Sequence, residues 1–260
     1  MKPWKEEMNM KCVKNTVMLV ILSLCVASHA MATESRYTDD EWHFTLSPLF
    51  LWGMSIDGSS TVGPVELPLD VGFDDVLDNL EFVFTIHFEM QKGDWTLFTE
   101  YQHVDLEPSF NTSSGTEVAI DFIDQMFELG VAYRVATFGI NDLEVLGGAR
   151  YTSQDLDVKI GPGVQLLDVS ESWLDGFIGM RVFTHISDNW TFIGRGDIGA
   201  GGSDFVWNIA GMVDYQFKDW GSVFFGYRWL DYDYENGSGL DYYAYDALQQ
   251  GPLAGLSIHW

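Results

Sequence analysis

From Trp42 to the carboxy-terminal Trp260, apolar and polar residues alternate with a period of two, the signature of strands whose two faces meet different surroundings. The last ten residues show the pattern plainly: Pro252, Ala254, Leu256, Ile258 and Trp260 are apolar, and Gly251, Gly255, Ser257 and His259 fall between them. Residues 81–92 are equally regular, with Phe82, Phe84, Ile86, Phe88 and Met90 on one face and Val83, Thr85, His87, Glu89 and Gln91 on the other. The alternation predicts ten strands, at about 42–56, 81–92, 95–107, 117–135, 143–159, 173–186, 190–200, 205–217, 222–234 and 251–260. A merged or split strand would make eight or twelve. Pro48 interrupts the first strand and, having no N–H to donate, predicts a bulge and an uncertain register there. Tight turns at 92–94, 187–189 and 218–221 fall on one side; longer polar loops at 57–80, 107–116, 161–172 and 235–246 fall on the other. The expected fold is all-β: an up-and-down antiparallel barrel with an apolar outside and a polar inside, closed so that no backbone edge faces lipid.

Tryptophans support a membrane setting. Trp42, Trp95, Trp190 and Trp220 fall near the short-turn ends, and Trp52, Trp173, Trp207 and Trp229 near the other rim, predicting two aromatic girdles. A soluble β-sandwich also uses aromatics in its core, but it would not need turn asymmetry as well. On the wet side lie Arg134, Arg150, Arg181, Arg195 and Arg228, with Glu89, Glu100, Glu128, Glu144, Asp175, Asp197 and Asp214. Arginine facing lipid at mid-membrane costs about 2–4 kcal/mol, so these side chains are expected inside, joined in a lumen charge network.

The amino terminus adds a compartment. Lys2, Lys5, Lys11 and Lys14 precede an apolar run at 17–27 and the small-residue site Ala30-Met31-Ala32, which reads as a cleaved secretory leader over 1–32 followed by one β domain over 33–260. That run is shorter than the ~18 apolar residues of a spanning helix. A lipoprotein reading would use Cys25, which follows the bulky Leu24. Both cysteines, Cys12 and Cys25, lie in the leader, so the mature chain has no thiol chemistry. With 13 Lys and Arg against 39 Asp and Glu, the chain is strongly acidic, which argues against nucleic acid as a partner.

Several stretches carry a family resemblance. They are Gly148-Ala149-Arg150-Tyr151, Ile178-Gly179-Met180-Arg181, residues 194–199 and 226–234, residues 251–256, Ser47-Pro48-Leu49-Phe50-Leu51-Trp52-Gly53, and Lys92-Gly93-Asp94-Trp95. Together they resemble porin-like outer-membrane β-barrel proteins over nearly the whole mature chain. The resemblance implies a Gram-negative outer-membrane location and little biochemistry. It also implies that Trp260, ending an aromatic closing strand, resembles the signal read by the barrel assembly machinery. Outer-membrane lipid and lipopolysaccharide are the other expected partners. The longer loops would be extracellular and both termini periplasmic.

Three function classes follow. The first is a porin-like barrel whose charged lumen is structural or a narrow cation-preferring path for small solutes. The second is a surface binding module using acidic, aromatic loops, including 231–235 and 241–243. In residues 73–80, Phe73, Val76, Leu77 and Leu80 share one helical face, while Asp74, Asp75 and Asp78 are weak candidates for a divalent cation, without the spacing of a calcium loop. The third is an enzyme. Mature histidines His43, His87, His103, His185 and His259 are spread over five strands; only His87 with Glu89 and Glu100 suggests a base–carboxylate pair. No nucleophile motif, haem, nucleotide or zinc pattern accompanies them, so neither catalysis nor a cofactor is expected.

Overall fold

The computed structural model describes residues 40–111, 115–161 and 164–260. The leader, its Ala30–Ala32 cleavage site, both cysteines and Arg36 lie outside the described residues. Period-two sequence produces strands throughout: β1 (Trp42–Trp52), β2 (Ser55–Val62), β3 (Val65–Val71), β4 (Leu80–Lys92), β5 (Trp95–Leu106), β6 (Ser109–Asn111) and β7 (Glu117–Phe138). There follow β8 (Asn141–Ile160), β9 (Val164–His185), β10 (Trp190–Gly201), β11 (Phe205–Lys218), β12 (Gly221–Asn236) and β13 (Tyr243–His259). A short helix, α1 (Phe73–Asp78), precedes β4.

Ten of these strands form the ring, in the order β1-β4-β5-β7-β8-β9-β10-β11-β12-β13, and antiparallel pairing of β1 with β13 closes it. Leu46 opposes Ile258 and Trp52 opposes Leu253 at that closure, so the terminal strand is the last stave, as its alternation predicts. Closure leaves no long strand edge exposed to lipid, the condition for a sheet that spans hydrocarbon.

The outer face is apolar. Ile178, Phe225, Leu174 and Met180 are 69%, 62%, 58% and 54% exposed, a pattern that water would penalise and lipid would not. Trp42, Trp95, Trp190, Trp220 and Trp260 point outward at the short-turn end and form the predicted girdle there. The girdle predicted for the other rim is corrected. Trp207 and Trp229 are on the outward parity of β11 and β12, but Trp173 is 4% exposed and Trp52 packs with it against the interior cluster. The cause at Trp52 is Pro48. The register of β1 against β13 shifts between Leu46 and Leu49, so parity reverses: Leu46 lies on the outer side, whereas Phe50 is buried and Leu51 is exposed.

Beyond the ring, three predicted loops are shorter than expected because strands continue through them. Strands β7 and β9 have 22 residues each and β8 has 20, against the roughly 9–11 a membrane requires, so about half of each stands clear of the bilayer. The region 161–172, predicted as loop, is mostly the start of β9. Residues 57–80 form the β2–β3 hairpin and α1; β2 extends the line of β1 by pairing with upper β13, Ser55 opposite Gln250 and Val62 opposite Tyr243. Gly63 at φ 57° makes the tight turn between them.

The wall has one weak joint. Strand β1 pairs with β4 only from Trp42–Lys92 to Ser47–His87. Above that point the Thr85 hydroxyl donates to the Phe50 carbonyl and accepts from the Phe50 N–H at 3.3 Å, a side chain standing in for the ladder.

Candidate functional site in the barrel lumen

Parity places polar side chains inside, and strand pairing sets their heights. All twelve charged residues singled out from the sequence lie on the inner face, and nine of them join one continuous network. Arg150, fully buried on β8, donates from Nε to Glu128 at 3.0 Å and from Nη2 to Asp197 at 2.8 Å. Arg195 bridges the same two carboxylates, Nη2 to Glu128 at 2.6 Å and Nε to Asp197 at 2.8 Å. Asn208 donates to Asp197 and accepts from Arg228 Nε, and Arg228 Nη1 reaches Glu100 at 2.6 Å. His87 then bonds Glu100 at 3.1 Å and Glu89 at 3.0 Å through its two ring nitrogens. Arg181 bonds Glu89 and, at 2.9 Å, Glu144.

The chain of contacts visits eight of the ten staves, missing only β1 and β13. Carboxylates only accept hydrogen bonds, so His87 between two of them donates from both nitrogens and carries a charge. Four arginines and this imidazolium then balance Glu89, Glu100, Glu128, Glu144 and Asp197. Aromatic rings back the guanidinium groups: Arg150 lies 5.0 Å from the Phe177 centroid and Arg228 4.9 Å from that of Trp52. Gly130 leaves the room that the Phe98 ring takes beneath Arg181 and Arg195; a Cβ there would stand 2.3 Å from it.

The remaining three occupy the ends of the lumen. Arg134 donates to Asp94 and to the Gly93 carbonyl at the short-turn mouth, both at 3.0 Å. Asp214 is buried beside the same mouth, and Asp175 accepts from the Ser203 N–H at 2.8 Å toward the opposite end. His185 links Asp142 and Thr191, while His259 links Thr45 and Ser222.

Above the network the lumen is filled. Met54, Ile56, Val76, Met126, Trp173, Leu230, Tyr232, Tyr234, Tyr243 and Tyr245 form one buried cluster, with β3 residues Leu69 and Val71 against it. Neutral polar groups knit it: Gln154 and Gln249 both donate to the buried Asp124, and Tyr243 donates to Gln154 at 2.8 Å. Below the network lies a cavity of about 210 Å³ lined by residues reaching down to the short-turn mouth.

Asp75 accepts from the Gly72 N–H at 3.1 Å, capping the helix, and no group of three metal-ligating residues forms among the described residues. Of the expected apolar face of α1, Val76 is buried while Phe73 and Leu77 are 38% and 52% exposed. In the loop after β12, Tyr242 donates to Glu235, which raises the phenol above its usual range.

Sequence reasoning missed Asn208, Gln154, Gln249 and the tyrosine cluster, because amides and phenols suit either face of a strand; it also missed Asp124, which lies on the upper part of β7 beyond the bilayer-length stretch.

No protein-family model matches the chain, and no curated protein sequence matches it. Among solved structures, the outer membrane protease OmpT from Escherichia coli aligns over 88% of this chain and 99% of its own, at TM-score 0.51 and 8% identity. The translocator domain of autotransporter NalP from Neisseria meningitidis aligns over 97% of both chains at TM-score 0.37 and 10% identity. Ail, the attachment invasion locus protein of Yersinia pestis, aligns over 85% and 99% at TM-score 0.35 and 10% identity. At such identities a likeness speaks of fold alone. With its closed ten-stave ring, apolar exterior and charged interior, the chain has the fold of the outer-membrane β-barrels.

Proposed function

We propose that this protein is an integral outer-membrane barrel whose lumen is closed, its charge network acting as a rigid internal brace rather than an ion path. One observation carries the reading: the network ties eight staves together across the lumen, and the tyrosine-rich cluster seals the space above it. A conducting path needs mobile water and sites weak enough to release an ion. Here every network carboxylate is held by arginine, so none of the five is free to take up a passing cation. The long strand extensions and polar loops would face outward from the cell, with the Trp42 and Trp260 ends on the periplasmic side. That orientation follows the asymmetry of such barrels, short turns inside and longer loops outside. The test is single-channel recording of the refolded protein in planar bilayers at several salt concentrations. Protein shown to be folded should be silent. Steady cation-selective steps would replace the brace with a path.

A surface-binding role draws support from the extensions themselves. About ten residues of β7, β8 and β9 stand beyond the membrane with Asp121, Asp155, Asp157, Asp168 and Glu171 along them, an acidic collar fit for a cationic partner. Its test is retention of labelled cells or proteoliposomes on a polycationic surface, compared with a barrel whose β8–β9 extension has been trimmed.

A further inference from the structure

The brace does not fill the lumen, and the space it leaves has a definite chemistry. The cavity of about 210 Å³ has a polar mouth at Gln91, Asp142, His185, Asp214 and His259, and a roof of the charged His87, Glu100, Arg195 and Arg228 with the amide of Asn208. Between mouth and roof, on the arc from β10 round to β1, runs an apolar belt of Ile193, Ala210, Met212, Phe224, Leu253 and Phe50. The opposite arc presents Glu89, Glu144 and Arg181, with Phe183 beside them. A water-filled vestibule has no use for such a belt. Phe50, Phe224 and Leu253 pack together with Met212 against them, and the face this cluster turns inward lines the cavity.

We propose that the cavity is a binding site for a small, mainly apolar molecule about the size of a benzene ring that carries one hydrogen-bonding group. Size sets the scale: a protein cavity of about 150 Å³ lined by apolar side chains takes benzene, so this one holds a ring and one substituent. Shape sets the orientation. The ring lies against Met212, Phe224 and Leu253, and the polar group faces Glu89, Glu144 and Arg181, which offer both acceptors and donors. The molecule arrives through the short-turn mouth, because the network and the tyrosine cluster close the other end. This goes beyond the brace, which supplies the blind end and one wall of the site.

Benzyl alcohol is a suitable probe, titrated into refolded barrel carrying ¹³C-methyl methionine and isoleucine. Saturable shifts are expected at Met212 and Ile193. Met180 is 54% exposed on the outer face and reports partition of the probe into detergent instead. Ala210→Trp, which fills the belt, should weaken binding at least tenfold; should that variant not fold, Met212→Trp read at Ile193 replaces it. Absence of a saturable shift at Met212 and Ile193, shifts confined to Met180, or binding unchanged in a folded filling variant would each overturn the proposal. Channel recordings are independent of all three outcomes, so a failed brace and a failed site are separable.

Discussion

Arg150 shows what this barrel asks of a single residue. Its guanidinium is wholly buried between Glu128 and Asp197, which are 0% and 4% exposed. Removing one partner of such a group leaves buried charge behind, at a cost of about 3–5 kcal/mol, whereas neutralising the whole group costs far less. Arg150→Met should therefore lower the urea midpoint of the refolded barrel sharply, and Arg150→Met with Glu128→Gln, which leaves Arg195 paired with Asp197, should recover much of the loss. An unchanged midpoint in the single variant would mean that water screens the site. On the other face, Phe225→Arg puts a cation where the ring is 62% exposed to lipid and should reduce folding yield, with a cost near mid-membrane of about 2–4 kcal/mol. Normal folding yield would show that Phe225 does not face hydrocarbon. Charged residues of this kind were legible from sequence because only one parity of a lipid-facing strand can hold them. Asn208 was not: an amide is at home in water, in a turn or in a core, and nothing in its neighbours distinguishes the three.

At the scale of elements, the alternation located every stave of the ring, and the departures lie where a strand does two things at once. Strand β1 is apolar on both sides of Pro48, so no polar residue announces that the bulge exchanges inside for outside, and uninterrupted alternation puts Trp52 on the lipid face for that reason. The β2–β3 hairpin had a signal, Gly63-Pro64 between two alternating runs, but its serines and aspartates read as loop. Trp173 faces inward because it shares the parity of Asp175 and Arg181 on β9, and there it packs against Tyr234 at a ring separation of 4.1 Å. Thr85→Val tests the joint between β1 and β4. It keeps the shape and removes the hydroxyl that satisfies both polar groups of Phe50, so a loss of about 1–3 kcal/mol is expected, with faster hydrogen exchange at the Phe50 amide. Unchanged exchange there would mean that another group covers that edge.

As a whole, the molecule is a hoop with a tie across it. The ring gives closure, the eight-stave network gives stiffness in cross-section, and the interior cluster shuts one end. Silence in planar bilayers is the outcome expected of that arrangement, and it should survive trimming of the β8–β9 extension, because the network lies below it. A hoop under load parts at its weakest joint, and here that joint is known. Ladder pairing between β1 and β4 ends at Ser47 and His87, and those two strands meet through one hydroxyl above it. Strand β1 would therefore peel away before the braced arc from β4 to β12 yields. Unfolding would then run as an unrolling that starts at one seam, and assembly in reverse would leave that seam to be fastened last.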